Sequence, residues 1–432
     1  MENRSRFGVL TLGVVVLALA VLPEPANARA VLKTLYEFQG GADGSTPVAL
    51  RLDPNCDPAP GVDCILFGTT SIGGVGHGVV YKLEPTRRPP WTQTVLYTFQ
   101  GGTADGDIPL GDLLIDPNDG TMYGATAYGG TNDPGPPAAG TVFQLTTGGQ
   151  EELLRSFESH PYGVIFDADG HKLIGTTQIG GSGGSSGGSG EGTLYRLTPA
   201  AEGSWPLSIL YNFCSLPSCA DGQRPTAPPT LHPNGTIYGT TQLGGTGFKG
   251  TVFSFNGRRE KVLYNFSGGT DGGSPFAALV VGKDDSLFGM ASHGGDLTNC
   301  TGGCGVVFEL APPHFRYRVI HTFHGIAGGA NSRGSGPGNG SQLAVGTDGV
   351  LYGTTPRGGL DNGIGGNGVV FSLTPDPTHP GRWLPQVLHK FAADGSEGSM
   401  PGSLVVDTAH NDTLYGTTLQ SRFGGTVWKL TQ

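Results

Sequence analysis

The sequence predicts an all-β fold, a seven-bladed β-propeller of four-stranded blades, and three observations predict it. A phrase of the form LYGTTxxGG recurs seven times, as LFGTTSIGG, MYGATAYGG, LIGTTQIGG, IYGTTQLGG, LFGMASHGG, LYGTTPRGG and TLYGTTLQSRFGG. Its glycine falls at 68, 124, 175, 239, 289, 353 and 416, at intervals of 50 to 64 residues, a period that belongs to propellers and solenoids. Each interval holds four strand-length runs bounded by turn residues, and no segment beyond the N-terminal leader carries a sustained 3.6-residue stripe.

The second unit shows the pattern in order. QTVLYTF (93–99) alternates and is rich in β-branched and aromatic residues, and PLGDLLID (109–116) follows a GGTADGDI turn. TMYGATAYGG (121–130) follows PNDG, and GTVFQL (140–145) follows a longer Gly/Pro loop. Glycine and proline are abundant, 77 and 32 of 432 residues, but they sit between apolar runs and read as turns rather than as disorder. The glycine after the aromatic of LYG is expected to admit a close backbone or a bulge.

The placement of Gly-Gly suggests kelch-type blades. LVVD-like runs then line the channel, LYGTT lies second, GTVFxL third and VLYNF outermost. The chain opens on an outermost-type run (31–38) and ends on a third-type run (424–430), so the N-terminal strand would complete the last blade and close the ring, removing an open edge. In this phase the Gly-Gly and Asp-Gly loops share one face, where variable loops would carry a site.

Residues 1–30 read as a signal peptide. Arg4 and Arg6 precede the apolar run VLTLGVVVLALAVL (9–22), and ANA (26–28) or ARA (28–30) supplies small residues for cleavage. The run is shorter than a membrane span needs. Residues 31–432 form one domain. Without the leader the chain keeps 22 basic and 33 acidic residues, net −11, and has no basic run, which argues against nucleic acid. Six cysteines form three local pairs, Cys56 with Cys64, Cys214 with Cys219 and Cys300 with Cys304. In an exported chain these read as short-loop disulfides. Metal binding is the rival, but structural zinc wants four clustered ligands.

LYGTTxxGG, GTVFxL, VLYxF and DGxxP, in that cyclic order, resemble the GloVer tandem repeat of exported bacterial proteins, and the resemblance covers residues 31–432. It implies export and a β-propeller-like fold. It implies no reaction, ligand or catalytic residue. Many relatives carry C-terminal anchors, whereas this chain stops at KLTQ (429–432), so a periplasmic or freely secreted protein is expected; it is also expected to be a monomer.

The sharpest polar signal is Asp-Gly between the outermost and inner runs, which contributes Asp43, Asp105, Asp221, Asp271 and Asp394. A ring of carboxylates could bind sugar hydroxyls or calcium. Against this, Asp caps its own turn and Gly accepts positive φ, and calcium needs six to eight oxygens. The Thr pairs (69–70, 176–177, 240–241, 354–355 and 417–418) read as strand ends, and the aromatics as interblade core. A catalytic site should break the repeat. The breaks are His77, Arg224, Met290, His293 and Arg357. No H-E-x-x-H is present, no G-x-S-x-G stands at a strand-to-helix turn, and GGSGGSSGGSGEG (180–192) lacks the Lys-Ser/Thr of a phosphate loop. The sequence therefore points to a non-enzymatic exported binding module without a required cofactor. Its expected ligands are glycans or other surface polymers; a polysaccharide lyase or hydrolase and a structural envelope protein are the alternatives.

Overall fold

The structure, a computed structural model, describes residues 30–432 except 57–58, 60–61, 132–139, 182–189, 325–329, 332–341 and 360–365. The leader, and most of the 180–192 glycine run, lie outside the described residues. Seven four-stranded antiparallel blades form a ring, and four single-turn 3-10 segments are the helices among the described residues. No described helix is long and apolar enough to cross a membrane.

Blade 1 runs outward from Ser45–Leu52 through Leu66–Ile72 and Val79–Glu84 to Thr92–Thr98. Blade 7 takes Ser399–Asp407, Thr413–Gln420 and Thr426–Thr431 from the C-terminus, and Val31–Glu37 pairs with the last of these as its outer strand. The kelch-like phase and the N-terminal closure are both present. LVVD-like runs are innermost and line a central channel.

The core is not one mass. Its seven buried clusters each join two adjacent blades. Phe67, Val80 and Phe99 of blade 1, for example, pack on Leu113, Met122 and Phe143 of blade 2, and Leu35, Phe38 and Tyr415 of blade 7 pack on Leu50, Tyr81 and Trp91 of blade 1. The recurring phrase builds these layers. In every blade the glycine of LYG faces an aromatic across the ladder: Tyr81, Phe143, Tyr195, Phe253, Phe308, Phe371 or Trp428. A Cβ on any of the seven glycines would stand 2.2–2.5 Å from that ring. The ring lies on the bare glycine, the cross-strand pairing that rescues glycine in sheets. The glycine thus makes room chiefly for a side chain; the neighbouring backbone that sequence reasoning expected is also close at Gly68, where a Cβ would stand 2.5 Å from the Ala49 carbonyl.

The same ring meets the phenylalanine that ends the outer strand of the preceding blade. Phe99 meets Phe143 at 5.1 Å and Phe266 meets Phe308 at 5.3 Å. Phe38 meets Tyr81 at 5.0 Å across the closure between blades 7 and 1, and the edge-on geometry is the one aromatic pairs favour. Tyrosine and threonine hydroxyls complete the pattern. Thr241 bonds Thr251 at 2.8 Å within its blade, while Thr354 donates to the Gly402 carbonyl of the next blade at 2.8 Å. Thr176, Thr240 and Thr354 therefore tie one blade to the next, while the second threonine of a pair, as in Thr241, ties strands within its blade.

Candidate functional site

The loops around the Asp-Gly turns and the channel could each hold a ligand. The Asp-Gly loops join the outer strand of one blade to the inner strand of the next. Asp43 accepts from the Tyr36 hydroxyl at 3.0 Å and from Gln39 N–H at 2.8 Å. Asp105 accepts from Tyr97 at 2.9 Å and from Gln100 N–H at 2.6 Å. Asp221, fully buried, accepts from Tyr211 at 2.7 Å and from Ser215 N–H at 2.9 Å. Asp271 accepts from Tyr264 and Ser267 N–H, both at 2.9 Å. Burial works to raise Asp271, but the Ser267 and Tyr264 hydrogen bonds outweigh it, and the carboxyl sits below its ordinary value. Asp394 departs from the scheme and caps Ser396 instead; Glu397 takes its place, bonding Ala392 N–H at 3.0 Å and His389 at 2.9 Å.

Each of these carboxyls is aimed into its own loop, on a separate interblade junction. The loop beyond is held by the residue before proline. Thr46, Ile108, Arg224, Ser274 and Met400 all have φ between 50° and 57°, a region that non-glycine residues enter at a cost. Their N–H groups bond the preceding blade, as Ile108 bonds the His77 carbonyl at 3.1 Å and Met400 that of Asn367 at 2.9 Å.

The residues that break the repeat do not converge. His77 pairs with Asp107 at 2.9 Å between blades 1 and 2. Arg224 pairs with Glu191 at 3.3 Å between blades 3 and 4. His293 contacts Ser292 at 2.7 Å in blade 5, its basicity lowered by burial and then by Lys249. Met290 is core, and Arg357 is exposed on blade 6.

The three cysteine pairs lie at bonding positions, with Cα separations of 5.4 Å for Cys56–Cys64, 3.9 Å for Cys214–Cys219 and 5.1 Å for Cys300–Cys304. Cys56–Cys64 closes an insertion at the turn between the first two strands of blade 1, on the face opposite the Asp-Gly loops. There Cys64, Asp407 and His410 cluster, but the bonded sulfur offers no thiolate to a metal. His410 faces two acceptors, Asp407 at 2.7 Å and the Ala59 carbonyl at 3.1 Å. The Ala59 carbonyl and then the Asp407 carboxylate raise its pKa, and the imidazole acts as a clasp between the insertion and blade 7.

The channel holds a cavity of about 600 Å³, lined by Leu52, Leu114, Ile165, Leu231, Val280, Val345 and Val406 among other aliphatic residues. Most of these stand late in their inner strands, so the cavity lies toward the face with the tighter turns, whereas the loop face was where sequence reasoning looked first. Toward the Asp-Gly face the channel narrows to a void of about 40 Å³ bounded by Val48, Tyr162, Thr226 and Phe276. Among the described lining residues, one charged group stands in the largely apolar wall. Arg51 pairs with Asp112 at 2.6 Å, and Gln342 donates to the other oxygen of Asp112 at 2.9 Å. These three residues come from blades 1, 2 and 6, whose inner strands recur with different residues at these positions. Sequence reasoning missed them because it searched the loops; the only available signal was a charged residue in a run otherwise read as channel lining.

Several solved structures align along much of the chain. The chain aligns with the luciferin-regenerating enzyme at 13% identity over 77% of this chain and 93% of that one, with a TM-score of 0.43. A gluconolactonase from Xanthomonas campestris aligns at 13% identity over 82% and 89%, TM-score 0.41, and a puromycin hydrolase at 11% over 86% and 50%, TM-score 0.47. At these levels the likeness concerns the fold. No curated protein matches the sequence. The Gloeobacter/Verrucomicrobia repeat matches residues 160–428, and with seven copies of its phrase closing one ring, the chain belongs to that repeat family.

Proposed function

We propose that the protein is an exported, non-enzymatic binding module whose ligand enters the central channel from the tight-turn face. The observation that carries this reading is the Arg51–Asp112–Gln342 group set in an otherwise aliphatic cavity of about 600 Å³. Small-molecule sites have this form and size: a mostly apolar wall with a few placed polar groups. The ligand class is a small amphiphile, with an aliphatic body along the channel and a polar head at the guanidinium N–H groups that Asp112 leaves free. Local disulfides support export. The lyase or hydrolase reading requires repeat-breaking residues in one place, and they are spread over four blades. The Asp-Gly carboxyls are spent on tyrosines and turn N–H groups, which supports a loop-holding role over a glycan or calcium ring.

Calorimetric titration with dodecanoate and with dodecanol tests this. Saturable one-site binding of either, weakened at least tenfold by Arg51→Ala, supports the channel. Failure of both to bind removes the reading and favours a structural role.

A further inference from the structure

We propose a second ligand site, independent of the channel, in the cleft between blades 5 and 6: a seat for one or two residues of a neutral oligosaccharide. The cleft encloses about 280 Å³ and is lined by Phe288, Glu309, Arg318, Asp348, Arg382 and Trp383, with Lys283 and Asp284 at its rim.

The position is a shared one, used differently here. In blades 1, 3 and 6 the tryptophan at the start of the outer strand packs on the aromatic before the LYG glycine of the preceding blade. Trp91 meets Tyr415 at 6.3 Å, Trp205 meets Tyr123 at 6.1 Å, and Trp383 meets Phe288 at 5.4 Å. Between blades 7 and 1 the space beside this pair is filled. Asp63 of the disulfide-closed insertion accepts from Tyr415 at 3.1 Å and pairs with Lys429, and Trp91 is buried. Between blades 5 and 6 Trp383 is only half-buried and a cavity remains.

The third-strand residue is also unlike its counterparts. Across the ladder from Phe288 stands Glu309, where the other blades place Lys82, Gln144, Arg196, Ser254, Ser372 and Lys429. Glu309 is 2% exposed. It accepts from the Ser286 hydroxyl at 3.1 Å and pairs with Arg318, which also donates to the Gly381 carbonyl at 3.1 Å. That network fixes Arg318 in the cleft wall, with Nε on Glu309 and Nη1 on the Gly381 carbonyl. Arg382 is tied only loosely, its Nε 3.8 Å from Asp376, and Lys283 stands 3.9 Å from Asp348.

The cleft therefore offers donors (Arg318, Arg382, Lys283) and acceptors (Asp348, and Asp284 with the lone pairs that its bonds to Ser286 N–H at 3.2 Å and Ser286 hydroxyl at 3.0 Å leave) in near balance beside an indole. Three cations against the four acids Asp284, Glu309, Asp348 and Asp376 leave it with no net positive charge for an acidic polymer. Sugar hydroxyls donate and accept at once, and the C–H face of a pyranose suits an indole ring. A neutral glycan matches all of this, at a site that shares no lining residue with the channel.

The test is titration of the disulfide-intact protein with cello-, manno- and xylohexaose, and with a galacturonate hexamer as the acidic control, followed by tryptophan emission and calorimetry. Two variants accompany it: Trp383→Phe, which keeps the packing on Phe288, and the surface double change Asp348→Asn with Arg382→Ala. Saturable binding of a neutral hexaose with a change in emission, weakened at least tenfold in either variant at unchanged Tm, upholds the site. No binding by any neutral hexaose, stronger binding by the galacturonate hexamer, or full affinity in both variants overturns it. Arg51→Ala should leave this binding intact, so failure here and failure of the channel reading are distinct results.

Discussion

Two carboxyls carry the molecule's clearest pH dependence. Burial, then the charge of Asp105, pushes Glu151 up to about 7, and burial, then Asp221, pushes Glu260 up to about 7. Both lie beside a Tyr–Asp clamp between blades, where a further negative charge is opposed. An acid whose folded value is raised holds its proton longer folded than unfolded, so it stabilises the fold below its ordinary value of about 4.5 and loses that contribution as pH rises through the folded value. Their contribution to Tm should therefore fall between about pH 4.5 and pH 7, against the opposite trend of His321, which burial and then His324 hold down to about 4. The double variant Glu151→Gln, Glu260→Gln should flatten that slope and melt higher than the parent at pH 8. Calorimetric scans across this range decide it, and parallel profiles for the two proteins would show that both carboxyls titrate normally. The Asp-Gly turns were legible in the sequence because turn chemistry is local. Their tyrosine partners, seven to ten residues back in the preceding strand, became visible only once the loop was seen to fold back on that strand.

At the scale of the element, the unit of construction is the glycine with the ring above it. Gly239 lies under Phe253, with the ring 2.5 Å from where a Cβ would stand. Its φ is not in the left-handed region, so alanine there is opposed by overlap alone. Gly239→Ala should destabilise the protein by about 1–3 kcal/mol, the cost of overpacking a tight core. Gly148→Ala, whose nearest neighbour would be 3.8 Å away, should be close to neutral. Urea unfolding of both proteins measures the contrast; equal midpoints would mean that the strands separate freely enough to admit the methyl. The sequence displays these glycines seven times yet does not name their partners, because the ring arrives from the adjacent strand 10 to 20 residues later and its register is a property of the ladder.

At the scale of the molecule, stability depends on closing the ring. Val31–Glu37 pairs with Thr426–Thr431, and Phe38 completes the seventh aromatic contact. A chain beginning at Gln39 would leave the strand Thr426–Thr431 as an open edge and uncover Tyr81, a liability for any sheet. It should melt lower and aggregate sooner than a chain beginning at Ala30, and light scattering during a thermal ramp reads both effects. A truncated chain with unchanged Tm would show that the N-terminal strand is dispensable.

The sequence by itself determined the blade count and the local pairing of the cysteines; it suggested the phase and the N-terminal closure, which the strand order then decided against a blade in phase with the repeat. Each rests on a local, repeated signal: a period, an alternation, a turn or a short loop. Only the tertiary structure decided where ligand-sized space exists. The channel group joins residues 51, 112 and 342, and the cleft joins residues 283 to 383 across two blades. Repetition makes the scaffold legible because it writes the same physics seven times. A site is a departure from repetition, assembled from single residues on different blades, and only the curvature of the ring brings them together.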